Sequence, residues 1–230
     1  MKVFISGQRM FGADVYRLVR RLGHEVVGVS APALDSRGQR ADRLRACAEN
    51  DRVPWLEAGR LRAEVLPDGT DLIVGAHSHD FIGRKTRHRA RLGAIGYHPS
   101  LLPRHRGRDA IRWTIAMRDP IAGGSVYWMS ERVDGGDLAA QDFVHLHPGE
   151  TVDSLWREKL APLGLRLLEA VLCDLAQGIV RRQPQDEAAA TWEPSFGREP
   201  VFRPDLELLG RGDPGLTVDR RAARAAPQAA

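Results

Sequence analysis

The sequence predicts an α/β protein with a Rossmann-like, mostly parallel sheet that carries helices on both faces. The first observation is the order of the opening segments: an apolar run at 3–6, apolar residues at helical spacing over 11–22, and an apolar run at 24–29. This order is a βαβ unit, which joins two parallel strands through a helix. The second observation is that short apolar runs at 71–77 and 94–98 extend the same sheet.

The remaining elements follow from apolar spacing and from residues that begin or end helices. The basic stretch at 83–93 is compatible with either a loop or a helix. Asp109 is a candidate N-cap for the helix that follows it, Thr151 caps a long amphipathic helix that runs to Ala176, and Gly178 follows its end. The other predicted elements are a helix at 41–50 and strands at 52–58, 123–133 and within 134–146.

Length and composition set the class of protein. The chain has 230 residues, of which 43% are hydrophobic and 28% charged, as in ordinary globular proteins. We expect one domain over 1–205 and a flexible tail over 206–230, because the tail is rich in Gly, Asp, Arg and Ala and has no apolar period. No apolar run approaches the roughly 18 residues of a membrane helix, and the N-terminus lacks a signal-peptide pattern. We therefore expect a cytoplasmic protein without a membrane partner.

The number of cysteines and the net charge argue against three further kinds of protein. Cys47 and Cys173 are far apart and form no CxxC pattern, which excludes a disulfide scaffold and a multi-cysteine zinc site. The net charge of +4 is too small to indicate nucleic-acid binding without a basic patch.

Three short motifs resemble ligand-binding patterns only weakly. The segment from Gly7 to Gly12 lacks both GxGxxG and GK[ST], so it predicts a tight turn between a strand and a helix. Alternate histidines at His77 and His79 could hold a metal, but the following residues do not complete a metallohydrolase pattern, and we expect a polar pocket wall without metal. The similar pair at 145–147 is expected to face solvent.

The segment at 96–137 is the most informative part of the chain. A strand delivers His98 to its end, and a loop with two prolines and Gly107 follows, which predicts a rigid loop. Asp134 begins a glycine-rich turn after the next strand. A histidine and a carboxylate at two strand ends of one sheet can act as an acid/base pair, although a purely structural hydrogen bond is the common alternative.

The motifs of this segment resemble those of a known superfamily. YHPSLLPRHRG at 97–107 and VDGGD at 133–137 are similar to the signature of enzymes that use 10-formyltetrahydrofolate, namely formyltransferases and hydrolases. The segments at 7–29, 80–83, 123–141 and 190–196 add to the resemblance, which covers about residues 1–200. The likeness is greatest to the amino-terminal hydrolase domains of 10-formyltetrahydrofolate dehydrogenases. It implies a formyltransferase fold with 1–205 as the catalytic domain.

The resemblance also implies roles for individual residues. His98 and Asp134 would be catalytic, and 10-formyltetrahydrofolate would be the formyl donor, with no metal. The residues implied to line the pterin pocket are Asp80, Phe81, Ile82, Ser130, Glu131, Arg132 and Val133. The residues implied to meet the substrate are Gly96, Tyr97, Ser100, Arg104 and Arg106.

One residue departs from the pattern of the transferases. They carry Asn two residues before the catalytic histidine, and its amide donates to the formyl oxygen. Here that position is Gly96, which we expect to leave room for a water. Loss of one such donor raises the activation free energy by roughly 2.7–4 kcal/mol in comparable oxyanion sites. The hydrolase domains also lack this Asn, so the departure favours hydrolysis without excluding transfer.

Three functions therefore stand beside one another. The first is formyl transfer to a small amine, the second is hydrolysis of 10-formyltetrahydrofolate to formate and tetrahydrofolate, and the third is a non-catalytic folate-binding module. The partner of the first is a small-molecule amine and that of the second is water, with no nucleic acid in either. The sequence leaves the acceptor open, and a homodimer is an open alternative to a monomer.

The basic residues suggest a way of attracting anionic substrates. All but three of the 34 Lys and Arg residues are arginine, which genomic base composition largely explains. Two clusters nevertheless follow the site segments, one at 84–91 and one that includes Arg104 and Arg106. Exposed guanidinium groups at a pocket mouth attract carboxylates and phosphates. We expect both arginines to be exposed there.

Overall fold

A single seven-stranded sheet organises the computed structural model, which describes residues 1–194. The predicted tail at 206–230 lies outside the described residues. The strands are β1 (Lys2–Gly7), β2 (Glu25–Ala31), β3 (Trp55–Glu57), β4 (Leu72–Ala76), β5 (Gly93–His98), β6 (Ile121–Trp128) and β7 (Leu138–His145).

The order of the strands is β3-β2-β1-β4-β5-β6-β7. The first five strands pair in parallel, whereas β6 and β7 pair antiparallel to their neighbours. The prediction of a mostly parallel sheet is therefore confirmed. From β1 the chain builds outward to β2 and β3 and then returns to β4 on the other side, so the strand order reverses between β1 and β4, a place where open α/β sheets bind ligands.

Helices cover both faces of the sheet. The helices are α1 (Arg9–Arg21), α2 (Arg43–Asn50), α3 (Arg84–Arg89), α4 (Ala110–Ala116), α5 (Val152–Ser154) and α6 (Ala161–Ala176), with 3-10 turns at Ala63–Val65 and Glu187–Ala189. A larger core lies where α1, α2 and α6 pack against the strands, and it contains residues such as Val74 and Ile95. The smaller core consists of Phe4, Leu61, Leu66, Ile73, Ile82, Ala90 and Ala94.

The chain between Thr151 and Ala176 departs from the prediction of one continuous α-helix. A π-helical stretch, Leu155–Leu160, separates α5 from α6. The predicted cap is confirmed, since Thr151 and Ser154 form a reciprocal capping box. The helix predicted after Asp109 begins there, but the Asp109 side chain makes no capping hydrogen bond, because this residue has φ +62° and a capping residue needs an extended backbone.

Alternation along β5 sends its side chains to opposite faces of the sheet. Ile95 and Tyr97 enter the larger core, whereas Gly96 and His98 lie on the face of the smaller core. We call the latter the site face of β5, defined by Ala94, Gly96 and His98. Tyr97 packs against Phe11, with ring centroids 5.3 Å apart, and its hydroxyl donates to the Leu160 carbonyl at 2.6 Å.

Over residues 1–194, no helix is long and apolar enough to cross a membrane. Cys47 and Cys173 are both free thiols.

The packing of Tyr97 predicts that Gly164→Ala destabilises the protein. A Cβ at this position of α6 would lie 2.5 Å from Cε1 and 2.7 Å from Cζ of the Tyr97 ring. We expect a loss of about 1–3 kcal/mol in the free energy of unfolding from overpacking, although Ala is intrinsically better than Gly in a helix by about 1 kcal/mol. Chemical denaturation measures the change. Ala170→Gly, at an exposed position of the same helix, is the control for propensity alone. A Gly164→Ala variant as stable as the wild type would contradict this packing.

Candidate active site

A histidine and an aspartate meet at the carboxyl end of β5. His98 is the last residue of that strand, and its Nδ1 lies 3.4 Å from Oδ2 of Asp134. Both side chains are largely buried, with 9% and 12% of their surfaces exposed. The route of Asp134 to this place differs from the expectation of two strand ends at one edge. Because β6 is antiparallel to β5, it ends opposite Ile95, and the following turn brings Asp134 back to His98.

A main-chain carbonyl fixes the tautomer of His98. The Nε2 atom lies 2.7 Å from the carbonyl oxygen of His105, which can only accept a hydrogen bond. Nε2 therefore carries a proton and donates it to His105. Nδ1 is left as the ring nitrogen that faces Asp134 and any bound reactant.

Two hydrogen-bond donors and the ring of His98 surround the carboxylate of Asp134. The Gly107 N–H donates to Oδ2 at 2.8 Å, and the hydroxyl of Tyr127 donates to Oδ1 at 2.6 Å. His98 approaches Oδ2 from the third side. Asp134 itself has φ +50°, a left-handed conformation that costs a non-glycine residue roughly 1–2 kcal/mol. Strain of this kind persists where surrounding bonds hold it, and it is frequent at functional sites.

Hydrogen bonds to buried side chains hold the loop after His98. Ser125 is opposite His98 in the β5–β6 pair, and its hydroxyl donates to the Ser100 carbonyl at 2.7 Å and accepts from the Leu102 N–H at 3.1 Å. The hydroxyl of Ser100 donates to the Arg104 carbonyl at 2.6 Å. Ser100 is thus buried and used within the loop, while a contact with the substrate stays a prediction.

A buried guanidinium links the His98 loop to the Asp134 turn. Arg106 is only 1% exposed, and it donates to Oε1 of Gln185 at 3.1 and 2.7 Å and to the two oxygens of Glu187 at 2.9 Å each. The amide of Gln185 in turn donates to the carbonyls of Asp134 and Gly136, at 2.8 and 2.6 Å. The expectation of an exposed arginine at this position is therefore wrong, because its donors are used to join two loops.

A second buried cluster holds the backbone of His105 in place. Its Nε2 lies 2.8 Å from Asp119, its Nδ1 lies 3.0 Å from Glu193, and Arg104 donates to Asp119 at 2.7 and 3.1 Å. Arg104 is thus paired, and not a free cation at a pocket mouth as expected. Burial alone would lower the pKa of His105, but the two carboxylates outweigh it and raise that pKa. Burial likewise opposes ionisation of Asp119, but His105 and Arg104 lower its pKa.

A cavity of about 930 Å³ lies beside the Asp134 turn. It is bounded by α3 on one side and by residues 128–137 on the other, with Ala94 of the site face in its wall. Of the predicted pterin contacts, Ser130, Glu131 and Arg132 line it, whereas Val133 does not and is 62% exposed.

The predicted pterin residues at 80–82 are not among the lining of this cavity. Phe81 is 84% exposed, and Ile82 is buried in the smaller core. The carboxylate of Asp80 accepts from the hydroxyls of Ser6 and Ser30, at 2.6 and 2.5 Å. It also accepts from the Gly59 N–H, so it joins the carboxyl ends of β1 and β2. A pterin contact for these three residues stays a prediction.

Two of the residues expected at the substrate differ from that expectation. Tyr97 enters the opposite face of the sheet from His98, because neighbouring residues of a strand alternate, so the structure does not support a contact with the substrate. Gly96 does not leave room for a water as expected. A Cβ there would lie 2.9 Å from Cε of Met129 and 3.2 Å from Cε1 of Tyr127, which fill that space.

Sequence reasoning missed several residues of the site. Tyr127 and Gln185 contact Asp134 directly, and the backbone of His105 and Gly107 contacts the pair. From the sequence, Gly107 is predicted only to allow a tight turn at the end of the loop. Nothing in the sequence around Gln185 indicates a contact with Asp134, because the two residues come together only in the folded chain.

Within residues 1–194, no three His, Cys, Asp or Glu side chains come together as metal ligands. The rings of His77 and His79 have centroids 5.8 Å apart beyond the end of β4. Among the described residues, they belong to no group of three such side chains that could hold a metal ion.

The fold and the site together define a Rossmann-like α/β protein whose His–Asp pair lies at the edge of a mostly parallel sheet. The family model for formyl transferases matches residues 1–171. The chain belongs to the formyl transferase family, and the resemblance drawn from its motifs is confirmed.

Individual relatives agree with this family. Cytosolic 10-formyltetrahydrofolate dehydrogenase of Homo sapiens is 39% identical over 204 residues, which cover 84% of this chain and 22% of that protein. Methionyl-tRNA formyltransferase of Thermotoga maritima is 29% identical over 224 residues, covering 91% and 70%. An N-formyltransferase from Helicobacter canadensis, solved with folinic acid and dTDP-3-aminofucose, has a TM-score of 0.67 at 12% identity, covers 84% of this chain and 70% of its own, and shows the shared fold. The chain thus spans about a fifth of the dehydrogenases that it matches.

The buried cluster around His105 predicts a loss of stability at alkaline pH. A raised pKa means that folding favours the protonated ring, so its contribution is complete below the usual histidine pKa of about 6.5 and is lost as pH rises through the raised value. Across that window, stability should fall by up to about 1.4 kcal/mol per pH unit. The depressed pKa of Asp119 acts only near its own range, at acid pH. Chemical denaturation from pH 6 to pH 9 tests this, and His105→Gln should flatten the dependence.

His145→Gln, at an exposed histidine on β7, is the matched control and should keep the wild-type pH dependence. An equal slope in the wild type and in His105→Gln would refute the assignment to this cluster.

Proposed function

We propose that the protein takes the formyl group of 10-formyltetrahydrofolate and passes it to a small amine. The observation that carries the proposal is the His98–Asp134 pair, 3.4 Å apart at a strand end, in a chain of the formyl transferase family. A buried histidine with one defined tautomer beside a carboxylate with fixed donors can move protons at a reacting carbonyl.

The cavity beside α3 supports a place for the folate. Ala94, Gly96 and His98 follow one another along the site face of β5, so a ring held against Ala94 lies along the strand that ends at His98. The volume of about 930 Å³ is large enough for the pterin. Backbone groups at 130–132 would contact it, and the formyl-bearing nitrogen N10 would lie toward His98.

The proposed chemistry is acyl transfer without a covalent enzyme intermediate. Nδ1 of His98, in its protonated form, donates to the formyl oxygen as negative charge develops there. Asp134 accepts a proton from the attacking amine and returns it to N10 as the bond between the formyl carbon and N10 breaks. The new bond joins the formyl carbon to the acceptor nitrogen, and tetrahydrofolate leaves with the proton. The N–H of Gly107 and the hydroxyl of Tyr127 hold Asp134 during these transfers.

Water is the second candidate nucleophile, and Gly96 is the observation that favours it. No side chain at this position can donate an amide to the formyl oxygen, and Tyr127 and Met129 fill the space. The similarity to 10-formyltetrahydrofolate dehydrogenase points the same way, whereas the structural neighbour solved with an amino sugar nucleotide favours an amine. With water, the same proton transfers would release formate.

Substitution of the pair tests the catalytic assignment against a non-catalytic folate-binding module. We expect His98→Ala and Asp134→Asn each to lower kcat by about 10²–10⁴, the usual contribution of a positioned acid or base. Release of tetrahydrofolate from 10-formyltetrahydrofolate is the measurement. His145→Ala and Asp142→Asn, at exposed positions of β7, are the matched controls. Wild-type rates in both site variants would overturn the assignment.

The identity of the nucleophile is tested by one incubation in two arms. The protein is given 10-formyltetrahydrofolate alone or with a pool of amino sugars, amino acids and amino nucleotides. If an amine is the acceptor, the pool should accelerate tetrahydrofolate release at least tenfold, and mass spectrometry should find a product heavier by one formyl group in place of a hydrogen. Equal turnover in both arms, with one formate per tetrahydrofolate, would reject transfer in favour of hydrolysis. Tight binding without turnover in either arm would leave only the binding module.

A further inference from the structure

Gly96 and Tyr127 are direct partners in the β5–β6 pair. Both lie on the site face, because Ile95 of β5 and Val126 and Trp128 of β6 enter the larger core on the other side. The transferases that the motifs resemble have an asparagine in place of this glycine, so the partner of Gly96 bears on how this chain does its chemistry.

The ring of Tyr127 occupies the space that a side chain at 96 would need. A Cβ on Gly96 would lie 3.2 Å from Cε1 and 3.3 Å from Cζ of this ring, closer than ordinary van der Waals contact. The ring is therefore seated against the bare backbone of β5. A side chain at 96 would require the ring of Tyr127 to shift, together with Cε of Met129, which would lie 2.9 Å from the added Cβ.

With the ring in this position, the hydroxyl of Tyr127 contacts the carboxylate of Asp134. It donates to Oδ1 at 2.6 Å, while Oδ2 accepts the N–H of Gly107 and faces His98. Burial, reinforced by the Asp134 charge, raises the pKa of the phenol well above its usual value of about 10. The hydroxyl thus keeps its proton and acts as a donor to the carboxylate.

We infer that Gly96 and Tyr127 act as a matched pair that positions Asp134 for the reaction. The glycine admits the ring, the hydroxyl holds Oδ1, and Oδ2 is thereby kept toward His98 and the reactants. Tyr127 is a positioning residue in this inference, which rests on the proposed function of Asp134. Where the transferases carry asparagine, this chain has glycine, and the adjacent strand supplies a hydroxyl that contacts Asp134.

Tyr127→Phe is the direct test, because it removes the hydroxyl and keeps the ring that fills the space at 96. We expect kcat for tetrahydrofolate release to fall about 10- to 100-fold, as misplacement of a catalytic group does, while KM for 10-formyltetrahydrofolate stays within about twofold, since the hydroxyl does not line the folate cavity. Tyr16→Phe is the matched control. Tyr16 lies on α1, and its hydroxyl donates to the carboxylate of Asp51 at 2.8 Å, so the control loses the same kind of hydrogen bond outside the site.

Gly96→Ala supplies a second route to the same effect. The added methyl should displace the ring and lower kcat about as much as Tyr127→Phe does, and the double variant should lose no more than the worse single variant, because both act through one hydroxyl. Multiplication of the two losses in the double variant would contradict a matched pair. Thermal denaturation confirms that each variant is folded before its rate is measured.

The outcomes separate this inference from the proposed function. Full activity in Asp134→Asn would overturn the proposed function. A strong loss in Asp134→Asn together with a wild-type kcat in Tyr127→Phe would overturn the inference alone. A crystal structure of Tyr127→Phe gives a readout independent of activity: the carboxylate of Asp134 should rotate away from the distance of 3.4 Å to His98. An unchanged carboxylate would refute positioning by Tyr127.

Discussion

The pairing of the Arg106 guanidinium is the interaction on which the arrangement of the site depends. Burial of a cation raises the free energy of the folded state strongly unless its N–H groups are hydrogen-bonded. Arg106 therefore requires Gln185 and Glu187 as hydrogen-bond acceptors beside it. Since Gln185 also donates to the carbonyl of Asp134, the same requirement fixes the turn that carries the carboxylate. The loop of His98 and the turn of Asp134 are thereby held by one polar network, although they are far apart in the chain.

The second constraint is the alternation of side chains along β5. It sends residues of the larger core and residues of the site to opposite faces of the sheet. Tyr97 gives its ring and hydroxyl to the larger core, and the next residue, His98, faces the site. Gly96 has no side chain, and Tyr127 of the adjacent strand lies beside it and donates to Asp134. The positioning role inferred for Tyr127 therefore depends on the strand pairing rather than on the motif alone.

Much of the fold could be predicted, because it follows from local spacing. The opening βαβ unit, the buried strands and the capped helix at Thr151 all depend on neighbours in the chain. The errors have physical causes that are not local. Asp109 adopts a left-handed backbone that no spacing reveals, and Arg106 is recognisable as buried only when Gln185 and Glu187 are seen beside it. Exposure of a long polar side chain depends on partners distant in sequence.

The α/β class, the family motifs and the two residues proposed to carry the reaction, His98 and Asp134, can all be predicted from the amino-acid sequence alone. How these two residues meet depends on the folded chain. Strand β6 runs antiparallel to β5, and the turn that follows it brings Asp134 back toward His98. The register of the two strands sets Tyr127 against Gly96, so that its hydroxyl, with the N–H of Gly107, donates to Asp134. The reason is that periodicity and motifs record short-range preferences, whereas strand register and the pairing of buried charges are set by contacts between segments that are remote in the chain.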